Sequence, residues 1–144
     1  MDKILVSSCL LGNNTKYNGK NNYNSNIELL KKKYIIIPIC PEVMGNLPIP
    51  RDPSEIINDK VITNKGNDVT DNFILGKNKV IDIVNNNDIK FCILKDGSPS
   101  CGVYNIYDGS FTNNKIKGMG ITTRELIKRN IKIYSEEDIT KLIW

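Results

Sequence analysis

Residues 3–9 read KILVSSC: an apolar, β-branched run from Lys3 to Ser8, with a cysteine immediately past its end. An uninterrupted run of this kind is the pattern of a buried strand. Two further stretches repeat the arrangement. YIIIPI (Tyr34–Ile39) leads into Cys40, and IKFCILK (Ile89–Lys95) leads into the loop SPSCG that carries Cys101. Three strands thus each deliver a thiol just beyond their carboxyl ends.

Helical patterns fill the intervals. NSNIELLKKK (24–33) has Ser25 or Asn26 as a cap, and its basic run Lys31-Lys32-Lys33 suits a helix C-terminus facing solvent. DNFILGKNKVIDIVNNND (71–88) sets Phe73, Ile74, Val80, Ile81 and Val84 at helical spacing. It starts at Thr70 or Asp71 and is weakened by Gly76. GITTRELIKRN (120–130) is a helix capped by Thr122 or Thr123. IKIYS (131–135) is a last strand, and SEEDITKLIW (135–144) is a closing helix with Ser135 as N-cap. Pro41, Pro48, Pro50 and Pro53 forbid regular structure across 41–56. EIINDKVITNKGNDVT (55–70) reads as a hairpin turning at Asn58-Asp59, with a second turn at Lys65-Gly66.

Strands alternating with helices predict an α/β chain: a single domain over 1–144 with a mostly parallel, Rossmann-like sheet flanked by helices and a small hairpin insertion. The sheet has about four strands and is covered on both faces. Ligand sites in such sheets lie outside the carboxyl ends of the strands, where Cys9, Cys40 and Cys101 fall.

The composition narrows the chemistry. Histidine is absent, which removes the usual general base, the Cys-His and Ser-His nucleophile pairs and the commonest zinc ligand. The net charge of +4 is scattered, without basic clusters interleaved with aromatics, so nucleic acid is not the expected partner. No apolar run approaches the ~18 residues of a membrane span, and no secretory signal precedes the first strand. The expected location is the cytosol. There, four cysteines are buried, metal-bound or catalytic rather than paired as disulfides. GxGxxG, GxxxxGK[ST] and GxSxG are all missing, against dinucleotide, P-loop and hydrolase-elbow chemistry. The many Asn residues read as a compositional bias of the source, with little meaning position by position.

Cys92, between Phe91 and Ile93, is expected to pack as a small hydrophobe within the sheet. The other three cysteines leave several readings open. They are inert core thiols, part of a structural zinc site, or ligands of an iron–sulfur cluster in which three cysteines leave one iron free. A zinc site is the weaker fit, because CxxC pairs are missing. Their loop settings, Cys40 before Pro41 and Cys101 between Ser100 and Gly102, do not call for a thiol on packing grounds. Glu42 is the nearest acid–base candidate; its plain alternatives are capping a helix or pairing with Arg51. Ser98 and Ser100 bind a ligand or simply shape the turn at Pro99. Arg51-Asp52 is expected to be a loop salt bridge.

The blocks SSCLLG with KYNG, PICPEVMGNLPIPRDPSEI, LKDGSPSCG, IYDGSF, GMGITT and IYSEE, in this order, resemble a bacterial family of iron–sulfur-dependent thiouracil desulfurases, formerly a domain of unknown function. The resemblance spans nearly the whole chain and matches the short, single-domain form. It implies a 4Fe–4S cluster held by Cys9, Cys40 and Cys101, with the fourth iron open to the sulfur of a thiolated pyrimidine base. It implies a non-redox replacement of C=S by C=O, with Glu42 moving protons and Ser98 and Ser100 beside the cluster. The sequence departs from the usual RYDG, which here is Lys16-Tyr17-Asn18-Gly19, and carries Asp96-Gly97 where a basic residue is frequent. Other readings of the same residues are a cluster- or sulfur-carrying module without turnover, and a structural zinc protein.

Overall fold

Ile4 and Val6 of the first strand face one layer of the molecule and Leu5 faces the other, and the sheet is built on that alternation. A computed structural model describes residues 1–143. Its strands are β1 (Lys3–Ser7), β2 (Ile35–Ile39), β3 (Ser54–Ile57), β4 (Lys60–Thr63), β5 (Ile89–Leu94), β6 (Asn105–Tyr107), β7 (Lys115–Lys117) and β8 (Ile133–Ser135). Its α-helices are α1 (Ile27–Lys31), α2 (Pro41–Met44), α3 (Thr70–Asn86), α4 (Ile121–Lys128) and α5 (Ile139–Ile143).

The central sheet has the order β2-β1-β5-β8, and every neighbouring pair in it is parallel. Ile4, Val6, Phe91 and Ile93 pack with Ile27 and Leu30 of α1 and Ile139 of α5. Leu5, Cys92 and Leu94 face the opposite way, onto Val80 and Ile81 of α3 and Leu126 of α4. Both faces are therefore covered, which explains why β1 and β5 read as continuous apolar runs. Cys92 is fully buried in this layer, as expected. The chain moves from β1 outward to β2 and returns to β5 on the other side, so the order reverses at β1. The crevice this opens at the carboxyl ends holds the site.

The expected hairpin is β3-β4, with Ile56 opposite Val61. Asn58 and Asp59 both have positive φ, 49° and 64°, as a two-residue turn of this hand requires. A second hairpin, β6-β7, was not expected, because its strands have three residues each and the Lys-Ile-Lys of β7 is exposed. Ile56, Val61 and Ile106 of the two hairpins pack on Phe73 of α3.

Several local expectations are corrected. The proline-rich stretch is not irregular throughout: Pro41–Met44 forms one helical turn with Pro41 at its start, where the missing N–H costs nothing, and Ser54–Ile57 is a strand. Helix α3 begins at Thr70, and it is Asp68 that accepts the Thr70 N–H, at 2.9 Å. Helix α4 is capped by Gly120, while Thr122 and Thr123 are buried inside its first turn. Helix α1 starts at Ile27 after Asn26, and its Lys31–Glu28 pair is fully on the surface. Ser135 is the expected N-cap, but the closing segment begins as a 3-10 turn (Glu136–Asp138), in which Asp138 completes a capping box. Trp144, included in the expected closing helix, lies outside the described residues. Among the described residues no helix is long and apolar enough to cross a membrane.

Candidate metal centre

Cys9 opens a single 3-10 turn, Ser8–Leu11, that follows β1 directly. Cys40 is the extended residue that caps α2, and the backbone N–H groups of Val43 and Glu42 bond its sulfur. Cys101 sits in the turn after β5. The Ser98 hydroxyl accepts the Cys101 N–H at 2.7 Å, and Gly102 N–H closes back on the Ser98 carbonyl at 2.9 Å. The carbonyls of Pro99 and Ser100 then accept N–H groups of Ile121 and Thr122, so the turn is bolted to the start of α4. The loop setting of Cys101 suggested a thiol outside the packing. Instead the turn folds inward, and Cys101 is 5% exposed against Val103 and Leu126.

The three thiols meet. Each lies within electrostatic reach of the other two, and all three line one cavity of about 330 Å³, at the lower end of the ~300–1,000 Å³ usual for small-molecule sites. Thr15, Lys16, Tyr17 and Asn22 form one side of its wall, and Tyr107, Asn113 and Lys115 of the second hairpin form another. Among the described residues, no group of three Cys, Asp or Glu side chains is drawn together tightly enough to hold one metal ion.

Burial raises all three thiols above their ordinary range. For Cys101 it pushes the value up to about 12, despite hydroxyls of Ser7 and Ser100 against its sulfur. For Cys9 burial outweighs the Asn22 amide, which donates to the sulfur at 3.4 Å, and for Cys40 it outweighs the Val43 N–H. Such thiols keep their protons until a metal displaces them. Cys92 is likewise pushed up to about 12 by burial alone and has no place on the cavity wall.

Glu42 stands in the same wall. Its Oε2 accepts the Ser100 hydroxyl at 2.8 Å, and its Oε1 accepts Arg51 Nε at 3.1 Å. The expected pairing of Glu42 with Arg51 is thus present, but the expected loop bridge Arg51–Asp52 is not: Asp52 instead meets Lys65 at 3.3 Å. The Ser98 and Ser100 hydroxyls lie 3.3 Å apart, and both residues line the cavity.

A family model described as 2-thiouracil desulfurase matches residues 4–138. The chain belongs to the 2-thiouracil desulfurase family. It is 34% identical, over 97% of its length and 99% of the relative's, to the uncharacterised protein YbbK of Bacillus subtilis (strain 168). A solved structure titled 4Fe–4S-dependent thiouracil desulfidase TudS superposes with a TM-score of 0.92 at 37% identity, over 99% of this chain and 95% of that one. The parallel sheet with its flanking helices is therefore the fold of a desulfidase, as the motif blocks implied.

Some residues of the site were not singled out in the sequence. Asn22 stood among many Asn residues read as compositional bias, yet its side chain reaches Cys9. Asp96 was noted only as a departure from the usual pattern. Its Oδ1 accepts the N–H groups of Gly97, Val103, Tyr104 and Asn105, which fixes both ends of the Cys101 turn. Lys95 lines the cavity and pairs with Glu136 at 2.8 Å. No periodicity marks such residues, because each acts through one turn or one partner.

Proposed function

We propose that the chain is a 4Fe–4S-dependent thiouracil desulfurase whose cluster is held by Cys9, Cys40 and Cys101. The observation that carries this reading is the meeting of three thiols, from the ends of β1, β2 and β5, on one cavity wall with the Glu42–Ser100 pair. The donor set fits the group. Three cysteines suit a cluster with one iron unligated by protein, and thiols too far apart for one ion suit a polyatomic body that offers each sulfur a different iron. The same spacing argues against a structural zinc site, which draws its ligands onto one tetrahedral centre.

When bound, the cluster supplies a soft Lewis-acidic iron that takes the sulfur of the substrate's C=S group. The protein residues do the rest. Glu42 accepts a proton from the water that attacks the thiocarbonyl carbon, and its carboxyl returns that proton to the departing sulfur, so that C=S and H2O become C=O and hydrogen sulfide. The Ser100 hydroxyl, donating to Oε2, holds that oxygen toward the cavity. Ser98 shapes the turn through the Cys101 N–H and sets the Ser100 hydroxyl in place. Tyr107, Asn113 and Lys115 offer a ring face and polar groups to a planar thiolated base. The partner is thus a small molecule, in keeping with the scattered charge of the surface.

The test is anaerobic reconstitution with iron and sulfide, followed by conversion of 2-thiouracil to uracil. Iron content near four per chain, with turnover lost in Glu42→Gln while iron is kept, is the expected result. A reconstituted wild type that binds iron but converts no thiobase favours the carrier module, and zinc in place of iron favours the structural site.

A further inference from the structure

Arg51 is a cation with a side chain only 7% exposed in the wall of this cavity. Its donors are spent on three different segments. Nε meets Glu42 Oε1 at 3.1 Å, one terminal nitrogen meets the Thr15 carbonyl at 2.9 Å, and the other meets the Pro48 carbonyl at 3.3 Å. The Arg51 backbone N–H adds a bond to the Tyr17 carbonyl at 2.8 Å. Glu42 is divided accordingly: Oε1 belongs to Arg51, and Oε2 is left for Ser100. The Thr15–Tyr17 segment, which lines the cavity opposite the thiols, is tied to the same guanidinium.

We propose that Arg51 is a positioning residue for the reaction: it fixes Glu42 so that Oε2 alone works on the proton, and it locks the Thr15–Tyr17 wall to that carboxylate as one unit. This rests on the reading of Glu42 as the proton carrier. The argument is geometric. A carboxylate with one oxygen pinned cannot rotate the other away from the cavity, and a misplacement of ~1 Å in a reacting group costs on the order of 100-fold in rate. A loop salt bridge of purely structural use would need no oxygen left over for Ser100. It would also not need a planar fork, since lysine could reach Glu42 but could not serve Glu42 and two carbonyls in one plane.

The experiment compares wild type, Arg51→Met, Glu42→Gln and the double variant, each reconstituted anaerobically, with iron and sulfide content, visible spectrum, kcat and KM for 2-thiouracil as readouts. The proposal expects Arg51→Met to keep wild-type iron content and spectrum and a KM within about threefold, while kcat falls about 100-fold. It expects Arg51→Met to add less than about threefold in the Glu42→Gln background, because both changes remove one device. Should Arg51→Met not fold by circular dichroism, Arg51→Lys takes its place, with a kcat loss of about 10-fold or more and the same non-additivity. A normal kcat in an iron-loaded Arg51 variant, beside a crippled Glu42→Gln, overturns the role of Arg51 alone, as does a full additional loss in the double variant. Glu42→Gln as active as wild type, or a wild type that turns over no thiobase, overturns the reading of Glu42 and the Arg51 role with it.

Discussion

Gly76 of α3 lies so close to Pro41 that a Cβ built on it would stand 1.8 Å from the Pro41 carbonyl oxygen. The contact is repeated one turn away, where a Cβ on Gly45 would stand 2.0 Å from the Asn72 carbonyl oxygen. Helix α2 is thus seated backbone to backbone on α3, and α2 is the element that carries Cys40 and Glu42. Gly76→Ala must push α2 off its seat. Overpacking of this sort costs ~1–3 kcal/mol, and the expected outcome is a lower thermal midpoint together with less iron taken up on reconstitution. A variant with wild-type stability and full iron would show that α2 does not depend on this seat.

The four cysteines are expected to separate into three and one. Serine at position 9, 40 or 101 should each lower the iron content and bleach the visible charge-transfer absorption. Cys92→Ala should leave both unchanged and lower stability by roughly 1 kcal/mol, since Cys92 is fully buried within the sheet and away from the cavity. Iron analysis beside a urea titration checks both halves. Iron loss in Cys92→Ala at unchanged stability would reverse the assignment.

Asn22→Ala removes the amide that donates to the Cys9 sulfur. Hydrogen bonds to cluster sulfurs tune reduction potential, so the variant should load iron and fold normally while its cluster shifts to a more negative potential. Asn22→Asp, which swaps a donor for an acceptor facing the same sulfur, should shift it further. Voltammetry or a redox titration followed by electron paramagnetic resonance measures this directly, and equal potentials in all three proteins would count against it.

Acid should loosen the Cys101 turn through Asp96. Burial acts to raise this carboxyl, but the N–H bonds from Asn105, Val103, Tyr104 and Gly97 together outweigh it and hold the group below its ordinary value. A carboxylate lowered in the folded state adds stability above its unfolded value, ~3.9, and that contribution disappears as the pH falls through the folded value. Asp96→Asn should therefore be less stable than wild type at pH 7 and show a flatter stability profile below about pH 4. Asp96→Ala, which strands the amide donors outright, should lose ~1–3 kcal/mol at pH 7. Chemical denaturation at several pH values gives both curves.

The sheet was legible because its central strands are buried on both faces. Ile4, Val6, Phe91 and Ile93 on one side and Leu5, Cys92 and Leu94 on the other leave no polar position to confuse with a helix. The same runs located the thiols at strand ends, and hence the cavity. What escaped notice has in each case a local cause. The β6-β7 hairpin is too short and too exposed to carry a period. Gly76 reads as a weak point of a helix from propensity alone, whereas its lack of a side chain is what admits Pro41. Pro41, one of several prolines taken to exclude order, starts a helical turn. Arg51 could not be matched to Glu42 rather than Asp52 from the sequence, because the choice depends on how the proline-rich loop folds back onto α2.

The sheet order β2-β1-β5 places the three thiols on neighbouring strands but on chain segments as far apart as residues 9 and 101. An extended chain offers no such grouping, so an inorganic body gripped by all three has affinity for the native state alone. Loading then acts as a cross-brace whose strength is set by mass action: the filled protein should resist heat and proteolysis better than the empty one, and the polypeptide must finish its sheet before it can be filled.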